Sequence, residues 1–468
     1  MQIDLTFLGA SQNVTGSKYL IQANGAKVLI DCGIYQERQL KERNYLPFPV
    51  QPDSIDAVVL THAHLDHTGL LPKLVRDGFK GRIYATPATS EITKIVLLDA
   101  AHLQEEDAEF KRKRHQKEGR TGPYPVFPLY TTEDASACFD LFEPSGYETP
   151  IEIANGVEAT FYNAGHILGS SNIGIRVPRN RRKTAVLFSG DIGRADKPIL
   201  QDPEPVDNTD YIVMESTYGD RKHDLAAQIE LKLADVINRT HKTGGNIVIP
   251  SFAVERAQEI LYHLNSLLRK DLIPHLMVFL DSPMAGRVTE VFKKHVELYD
   301  EEMASLVKKG RSPFDFPGLK ITESTEESKA INHIKGTSII IAGSGMCTGG
   351  RIKHHLVNNI TRPESTILFV GYQATGTLGR QIVQGSESVR ILGQKYEVKA
   401  HIAKINGFSS HADREELLGW LKTLKKPPKH IFVTHGEAEV AKNFAKFITK
   451  QTTWEASAPA YMEKVRLS

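Results

Sequence analysis

Ala57-Val58-Val59-Leu60-Thr61-His62-Ala63-His64-Leu65-Asp66-His67, followed by Thr68-Gly69-Leu70-Leu71-Pro72, decides how the rest of this chain is read. The run Val58 to Leu60 is short, apolar and rich in β-branched residues, the composition of an interior strand. A helical pattern opens after Thr68, so His62, His64, Asp66 and His67 fall at the carboxyl end of that strand. Open α/β sheets place their sites there. Imidazole and carboxylate together suit zinc, and with no cysteine nearby the chemistry is catalytic in type rather than structural. A solvated His-rich turn is the competing reading. It suits a lone histidine, not three histidines and an aspartate within six positions.

A chain of 468 residues is too long for one ordinary core, and two domains are expected. Hydrophobic content of 40% and charged content of 24% are those of a globular protein that dissolves in water. A net charge of +2 names no partner, so any nucleic-acid role has to come from local basic patches. Cys32, Cys138 and Cys347 cannot all pair and show no CxxC spacing, which fits a reducing cytoplasm. The start Met1-Gln2-Ile3-Asp4-Leu5-Thr6-Phe7 alternates like a strand and lacks the form of a signal peptide. No run approaches the ~18 apolar residues of a membrane span. A cytoplasmic location without a membrane partner is expected.

Residues 3–60 read as strands and tight turns, with Asp31 closing one strand as a turn residue or as support for a ligand, and Cys32 a small buried apolar group. Beyond the His-rich loop come a helix over 70–77, a strand over 82–85 and a long helix from Ser90 to about His115. The basic run Lys111 to Arg114 is either a phosphate contact or a solvated helix end. Pro123-Tyr124-Pro125 marks an extended crossing segment. Three further apolar strands each deliver a polar residue: His166 after Val157–Tyr162, Asp191 after Ala185–Phe188, and Glu215 after Ile212–Met214. That regularity places them on one rim. From about 220 strands alternate with helices, beginning with an amphipathic helix over 225–240, as in a second α/β domain with a largely parallel sheet. A last strand, His430–Thr434, carries His435.

The HxHxDH spacing of His62, His64, Asp66 and His67 resembles the signature of the metallo-β-lactamase fold. The remaining positions that such a fold asks for are present as His166 in AGHILGS, Asp191 in FSGDIG and His435 in VTHGE. The resemblance implies a metallo-β-lactamase αββα sandwich and two Zn2+ ions, with Mn2+ also compatible with the donors. One ion would take His62, His64 and His166, the other Asp66, His67 and His435, with Asp191 bridging. Two such ions ~3.5–4 Å apart activate water and stabilise charge on a phosphoryl oxygen.

The scaffold alone does not choose a substrate. The inserted α/β region, Glu215 in MESTYG, His411 in GFSSHAD and histidine rather than valine at His435 resemble the β-CASP nucleases, in their RNA-directed branch. The likeness covers essentially the whole chain and is close to the short bacterial and archaeal forms related to the pre-mRNA 3′-end cleavage nuclease. It implies residues 1–219 as the first part of the metallo-β-lactamase domain, 220–395 as the inserted β-CASP domain and 396–468 as the return. Neither an N-terminal KH-type extension nor the long C-terminal extension of RNase J is expected. Asp66, Glu215 and His411 form the implied catalytic set, with His411 as a proton donor to the leaving oxygen and Glu215 as its hydrogen-bond partner. A structural polar pair at a domain junction is the other reading of those two.

Two Gly-rich stretches follow the strands 339–342 and 367–370, and Ser344, Thr348, Arg351 and Arg380 in them are candidate phosphate contacts. Some of these glycines serve tight turns alone on the competing reading. Neither stretch is a Walker motif, which excludes a nucleoside triphosphatase of that type. Ser251 is a candidate cap for a helix over 255–268, and Arg256 a candidate cleft residue. Single-stranded RNA is the expected partner, because a slot between domains admits a splayed strand better than a duplex. A homodimer is compatible with the sequence. The expected activity is a two-zinc ribonuclease, endonucleolytic and in some measure 5′-to-3′ exonucleolytic. The alternatives are a hydrolase of a small ester on the same scaffold, which has no use for the insert, and a catalytically silent RNA-binding paralogue, which would have lost ligands.

Overall fold

The computed structural model describes residues 2–119, 126–179, 182–205, 209–222 and 229–468. The Pro123-Tyr124-Pro125 segment and the start of the helix expected from Leu225 lie outside these residues. The chain divides into two compact units, one of Met1–Asp196, Gln201–Lys222 and His411–Ser468, the other of Lys197–Leu200 and His223–Ser410.

In the first unit the described residues form two seven-stranded sheets. One runs in the order Lys464–Leu467, Ile3–Phe7, Tyr19–Ala23, Ala26–Ile30, Ala57–Val59, Arg82–Ala85, Phe142–Pro144. The other runs Ala456–Ser457, His430–Val433, Tyr211–Met214, Arg182–Phe188, Ser171–Arg179, Val157–Asn163, Ile151–Ala154. Successive residues of a strand point to opposite faces, and here both faces are apolar. Tyr19, Ile21, Val28 and Ile30 meet Phe161, Ile173, Val186 and Phe432 in a core between the sheets. Leu20, Leu29, Val58 and Leu60 point the other way, onto Leu71, Leu74 and Leu97 of the outer helices and onto Tyr130. Ile212, Met214, Ile431 and Val433 do the same on the second sheet, against Leu417, Leu421, Phe444 and Ile448. The helix–sheet–sheet–helix order follows from that double burial.

Strand direction positions the site. Arg182–Phe188, Tyr211–Met214 and His430–Val433 are parallel neighbours, with Phe188 beside Val213 and Val213 beside Phe432. Asp191, Glu215 and His435 therefore leave the sheet at one end, three, one and two residues beyond their strands. In the other sheet Ala26–Ile30 and Ala57–Val59 are also parallel, with Ile30 beside Val59, which brings Asp31 next to Thr61.

The long helix spans Pro87–Glu118, with Thr86 as its cap. Its basic run is a solvated helix end: Lys111 pairs with Asp107 at 2.5 Å, Lys113 with Glu109 at 2.6 Å and Arg114 with Glu118 at 2.8 Å. No helix among the described residues is long and apolar enough to cross a membrane.

The second unit holds a six-stranded sheet in the order Leu319–Ile321, Met277–Asp281, Ser338–Ala342, Ile247–Pro250, Thr366–Phe369, His401–Lys404, every pairing parallel. Its inner strands, such as Ser338–Ala342, are fully buried runs, the signature of a parallel sheet covered on both faces. Two expectations change here. Residues 396–410, expected as the start of the return, group here with the second unit: strand His401–Lys404 is the edge of its sheet, and the first unit resumes at His411. Composition does not mark that crossing, because both units are α/β. Ser251 does not cap the following helix: that helix spans Arg256–Arg269, and the Ser251 hydroxyl donates to the Phe252 carbonyl.

Candidate metal centre

The His-rich loop is held from behind before it can hold anything itself. Asp31 accepts from the Thr61 backbone N–H and from the Thr61 hydroxyl, both at 2.8 Å, and its Oδ2 lies 2.7 Å from His67 Nδ1. His67 Nδ1–H therefore donates to Asp31, which leaves Nε2 free to serve as a ligand nitrogen. Gly33 admits the loop: a Cβ there would sit 1.6 Å from the Asp66 carbonyl oxygen. Gly193 does the same for the His166 loop, where a Cβ would sit 1.9 Å from the Gly165 carbonyl oxygen. His435 is oriented in the same way as His67, with its Nδ1 3.0 Å from Thr217 Oγ1. Sequence reasoning placed Asp31 only as turn or support and passed over Thr217, although Thr217 lies two residues after Glu215.

Seven side chains converge. His62 Nε2 lies 3.0 Å from His64 Nδ1, and His166 Nε2 lies 3.4 Å from the same atom. His67 Nε2 and His435 Nε2 are 3.0 Å apart, and Asp66 Oδ2 is 3.4 Å from His435 Nε2. Asp191 stands between the two groups. Its Oδ2 faces His62 at 3.4 Å and His166 at 3.6 Å, while its Oδ1 faces His67 at 3.5 Å and His435 at 3.6 Å. The cluster separates into His62, His64, His166 and Asp191 on one side and Asp66, His67 and His435 on the other.

This donor set fits cations. Asp191 Oδ1 is buried and accepts no hydrogen bond, which is costly for a carboxylate oxygen unless a positive charge faces it. Burial would raise the Asp191 carboxyl, but His435, His67 and His62 overcome it and hold its pKa well below the usual range. Burial, with His67 beside it, pushes His62 well below the ordinary imidazole value, and burial takes His64 down to about 4. Both are therefore neutral at pH 7, the state in which imidazole binds a metal.

His411 adjoins the cluster outside its donor groups, and Glu215 lies close enough to Asp191 and His435 for those three also to hold a cation. Glu215 Oε1 accepts from the Ile192 N–H at 2.5 Å, and Oε2 lies 3.2 Å from His411 Nδ1. His411 Nδ1 is 3.8 Å from Asp191 Oδ2. Burial opposes a charge on His411, but Glu215 and Asp191 outweigh it and carry its pKa up to about 9. Cations at the neighbouring donors would pull that value down.

Ser344, Thr348, Arg351 and Arg380 belong to the second unit, and Ser344, Thr348 and Arg351 make their hydrogen bonds within it. Ser344 Oγ accepts from the N–H groups of Thr348 and Gly349 at 3.0 and 3.2 Å. Arg351 gives Nη1 to Asp281 at 2.7 Å and Nη2 to the Glu323 carbonyl at 2.6 Å. Arg380 Nε is buried without a hydrogen-bond partner. Gln373 ties the two Gly-rich loops together through the Gly345 carbonyl at 3.0 Å. Arg256 likewise turns to its own unit, donating to the Val370 carbonyl at 2.6 Å.

Asp281, which the sequence marks only as a strand end, is the hub beneath these loops. It is fully buried and also accepts from Thr322, from Ser328 at 2.6 Å and from His355 Nε2 at 2.5 Å. Burial works against its charge, yet these partners, His355 foremost, hold its carboxyl well below the usual range. Asp281→Ala is expected to cost about 3–5 kcal/mol, because it leaves the Arg351 guanidinium without its counter-charge and His355, Thr322 and Ser328 without their buried acceptor. A denaturant midpoint unchanged from the parent chain would contradict this. Asp31→Asn is expected to fold, because its Oδ1 still accepts from the Thr61 N–H, and to bind zinc about 10–100-fold more weakly, since an amide NH2 in place of Oδ2 no longer accepts from His67 and the Thr61 hydroxyl. Competition with a chromophoric chelator measures it.

Comparison with known proteins follows the same lines. Residues 14–225 match the metallo-beta-lactamase superfamily, 257–382 the Beta-Casp domain, and 395–459 the Zn-dependent metallo-hydrolase RNA specificity domain. The chain is 39% identical over 431 residues to Ribonuclease TTHA0252 of Thermus thermophilus, covering 92% of each chain. It is 32% identical over 480 residues to the transcription termination factor FttA of Methanosarcina mazei, covering 99% of this chain and 72% of that one. A crystal structure of a protein of unknown function from Enterococcus faecalis shares the fold alone, with a TM-score of 0.53 and 14% identity over the full length of both chains. With the sandwich, the inserted domain and the His/Asp cluster in place, the chain belongs to the β-CASP ribonuclease family of metal-dependent hydrolases, within the metallo-β-lactamase superfamily.

Proposed function

We propose that this chain is a two-zinc ribonuclease that hydrolyses phosphodiester bonds of single-stranded RNA in RNA processing or decay in the cytoplasm. Endonucleolytic cleavage is the primary mode, with 5′-to-3′ exonucleolytic trimming as the second. The observation that carries the reading is Asp191, whose two oxygens face two separate donor groups, with the His411–Glu215 pair alongside. His62, His64 and His166 would hold one ion and Asp66, His67 and His435 the other, with Asp191 shared. When bound, such ions supply an activated water and neutralise charge that develops on the phosphoryl oxygens.

The chain's own residues do the rest. Asp31 and Thr217 hold His67 and His435 with Nε2 towards the cluster. Glu215, fixed by the Ile192 N–H, takes up the Nδ1–H of His411 and favours the imidazolium. The second proton, on Nε2, is the one that ring can give to the departing ribose oxygen. Inserted-domain contacts by Ser344, Thr348 and Arg380 would position the strand. Arg351 would act there through its hold on the loop.

The test uses 5′-labelled single-stranded RNA and single-stranded DNA, with product lengths resolved and metal content measured by mass spectrometry. Internal RNA cuts with two zinc ions per chain support the reading, and 5′ mononucleotides add the exonuclease mode. Cleavage of DNA alone, or less than one metal ion per chain, would overturn it.

A further inference from the structure

The helix Ala438–Thr452 begins three residues beyond His435 and packs Ala441, Phe444, Ala445 and Ile448 onto the outer face of the second sheet. Beside that buried stripe it carries Lys442, Lys446 and Lys450, all exposed. They line a groove of about 490 Å³ whose other wall is the sheet edge at Ala456, Ser457 and Ala458. No acidic residue lines this groove. Lys442 makes one loose ion pair, 3.9 Å from the exposed Glu439, and among the described residues Lys446 and Lys450 make none.

We propose that this lysine row is a binding track for the sugar–phosphate backbone of a single RNA strand, leading away from the metal centre. The inference rests on the ribonuclease reading above and adds a site to it. Four helical residues rise about 6 Å, so the three ammonium groups recur at a spacing of the order of that between successive phosphates on an extended strand. The row starts seven positions after a ligand of the metal cluster and runs outward along the helix axis. Helix stabilisation accounts for Lys450 in the last turn, where it meets the negative end of the dipole, and for Lys442 through its pair with Glu439, but not for Lys446 between them. The alternation of long cationic stems with the small wall residues Ala456 to Ala458 leaves room for a backbone without reading bases. Contacts of this kind set affinity and register and carry no sequence preference.

The test measures binding of a fluorescent 30-nucleotide single-stranded RNA to the full-length chain across a salt series, with EDTA present so that the strand stays intact. In K442E/K446E/K450E the slope of log affinity against log salt is expected to fall by about 2, three lost contacts at ~0.7 each. Affinity near 0.1 M salt is expected to drop tenfold or more. K442R/K446R/K450R is expected to bind as the parent does, since the charges remain. K308E/K309E/K329E, which removes the same charge from exposed lysines of the other unit, is expected to keep the parent slope. Melting curves establish that each variant is folded.

An unchanged slope in the glutamate triple, or an equal loss in the control triple, overturns the track and leaves the ribonuclease reading standing. A parent chain that neither binds nor cleaves RNA overturns both.

Discussion

Asp191→Ala is expected to strip the centre of its metal and to lower RNA cleavage by at least about a thousandfold, ~4 kcal/mol on the barrier. Every other member of the cluster faces one donor group; Asp191 faces both, with Oδ2 towards His62 and His166 and Oδ1 towards His67 and His435. Its loss therefore weakens both halves at once. The fold itself should survive. Burial lowers the pKa of His67 and His435, and it is Asp191 above all that raises them again. Without that carboxylate these imidazoles can shed a proton instead of remaining as buried charges. Mass spectrometry of the purified variant is expected to find less than one metal ion per chain, with a near-normal melting curve in EDTA. Retention of two ions would remove Asp191 from the bridging role proposed for it.

His411→Ala is the complementary experiment, because it separates proton transfer from metal binding. The ring lies 3.8 Å from Asp191 and 3.2 Å from Glu215 and stands outside both donor groups that Asp191 joins. Metal content should stay at the parent level while RNA cleavage falls about 10²–10⁴-fold, the usual contribution of a positioned general acid. The decisive comparison is a phosphodiester with a nitrophenolate leaving group, which departs without a proton. That substrate should lose far less than RNA does. Equal losses on both would mean that His411 shapes the site and donates nothing. Glu215→Gln should follow His411→Ala in direction, because the neutral amide no longer favours the imidazolium.

The arrangement explains why activity would be sensitive to residues that touch no ion. Asp31, Thr61 and Thr217 turn the Nε2 atoms of His67 and His435 towards the cluster, and Gly33 and Gly193 let backbone segments approach where a methyl group has no room. In the inserted unit Asp281 performs the same service for Arg351 and its loop.

Much of this was legible in the residues themselves. The four ligand-type side chains of the His-rich loop, and the habit of Asp191, Glu215 and His435 of following apolar strands, are local patterns. They depend only on strand periodicity and on where a parallel strand ends. Hence the class of fold, the approximate strands and the whole candidate ligand set could be read along the chain. Tertiary structure alone decided the partnerships. That Asp31 serves His67, 36 residues away, and Thr217 serves His435 depends on which strands lie side by side. Asp281 looks like any strand end until Thr322, Ser328, Arg351 and His355 close on it from loops and helices distant in the chain. Arg351 reads as a phosphate contact in a Gly-rich stretch, yet its donors are already taken. The crossing at His411 was equally invisible, since strand His401–Lys404 reads alike in either domain and only its neighbour, Thr366–Phe369, assigns it. Sequence periodicity reports which face of an element is buried; it carries no record of what that face is buried against, because hydrogen bonds and ion pairs form across space and not along the chain.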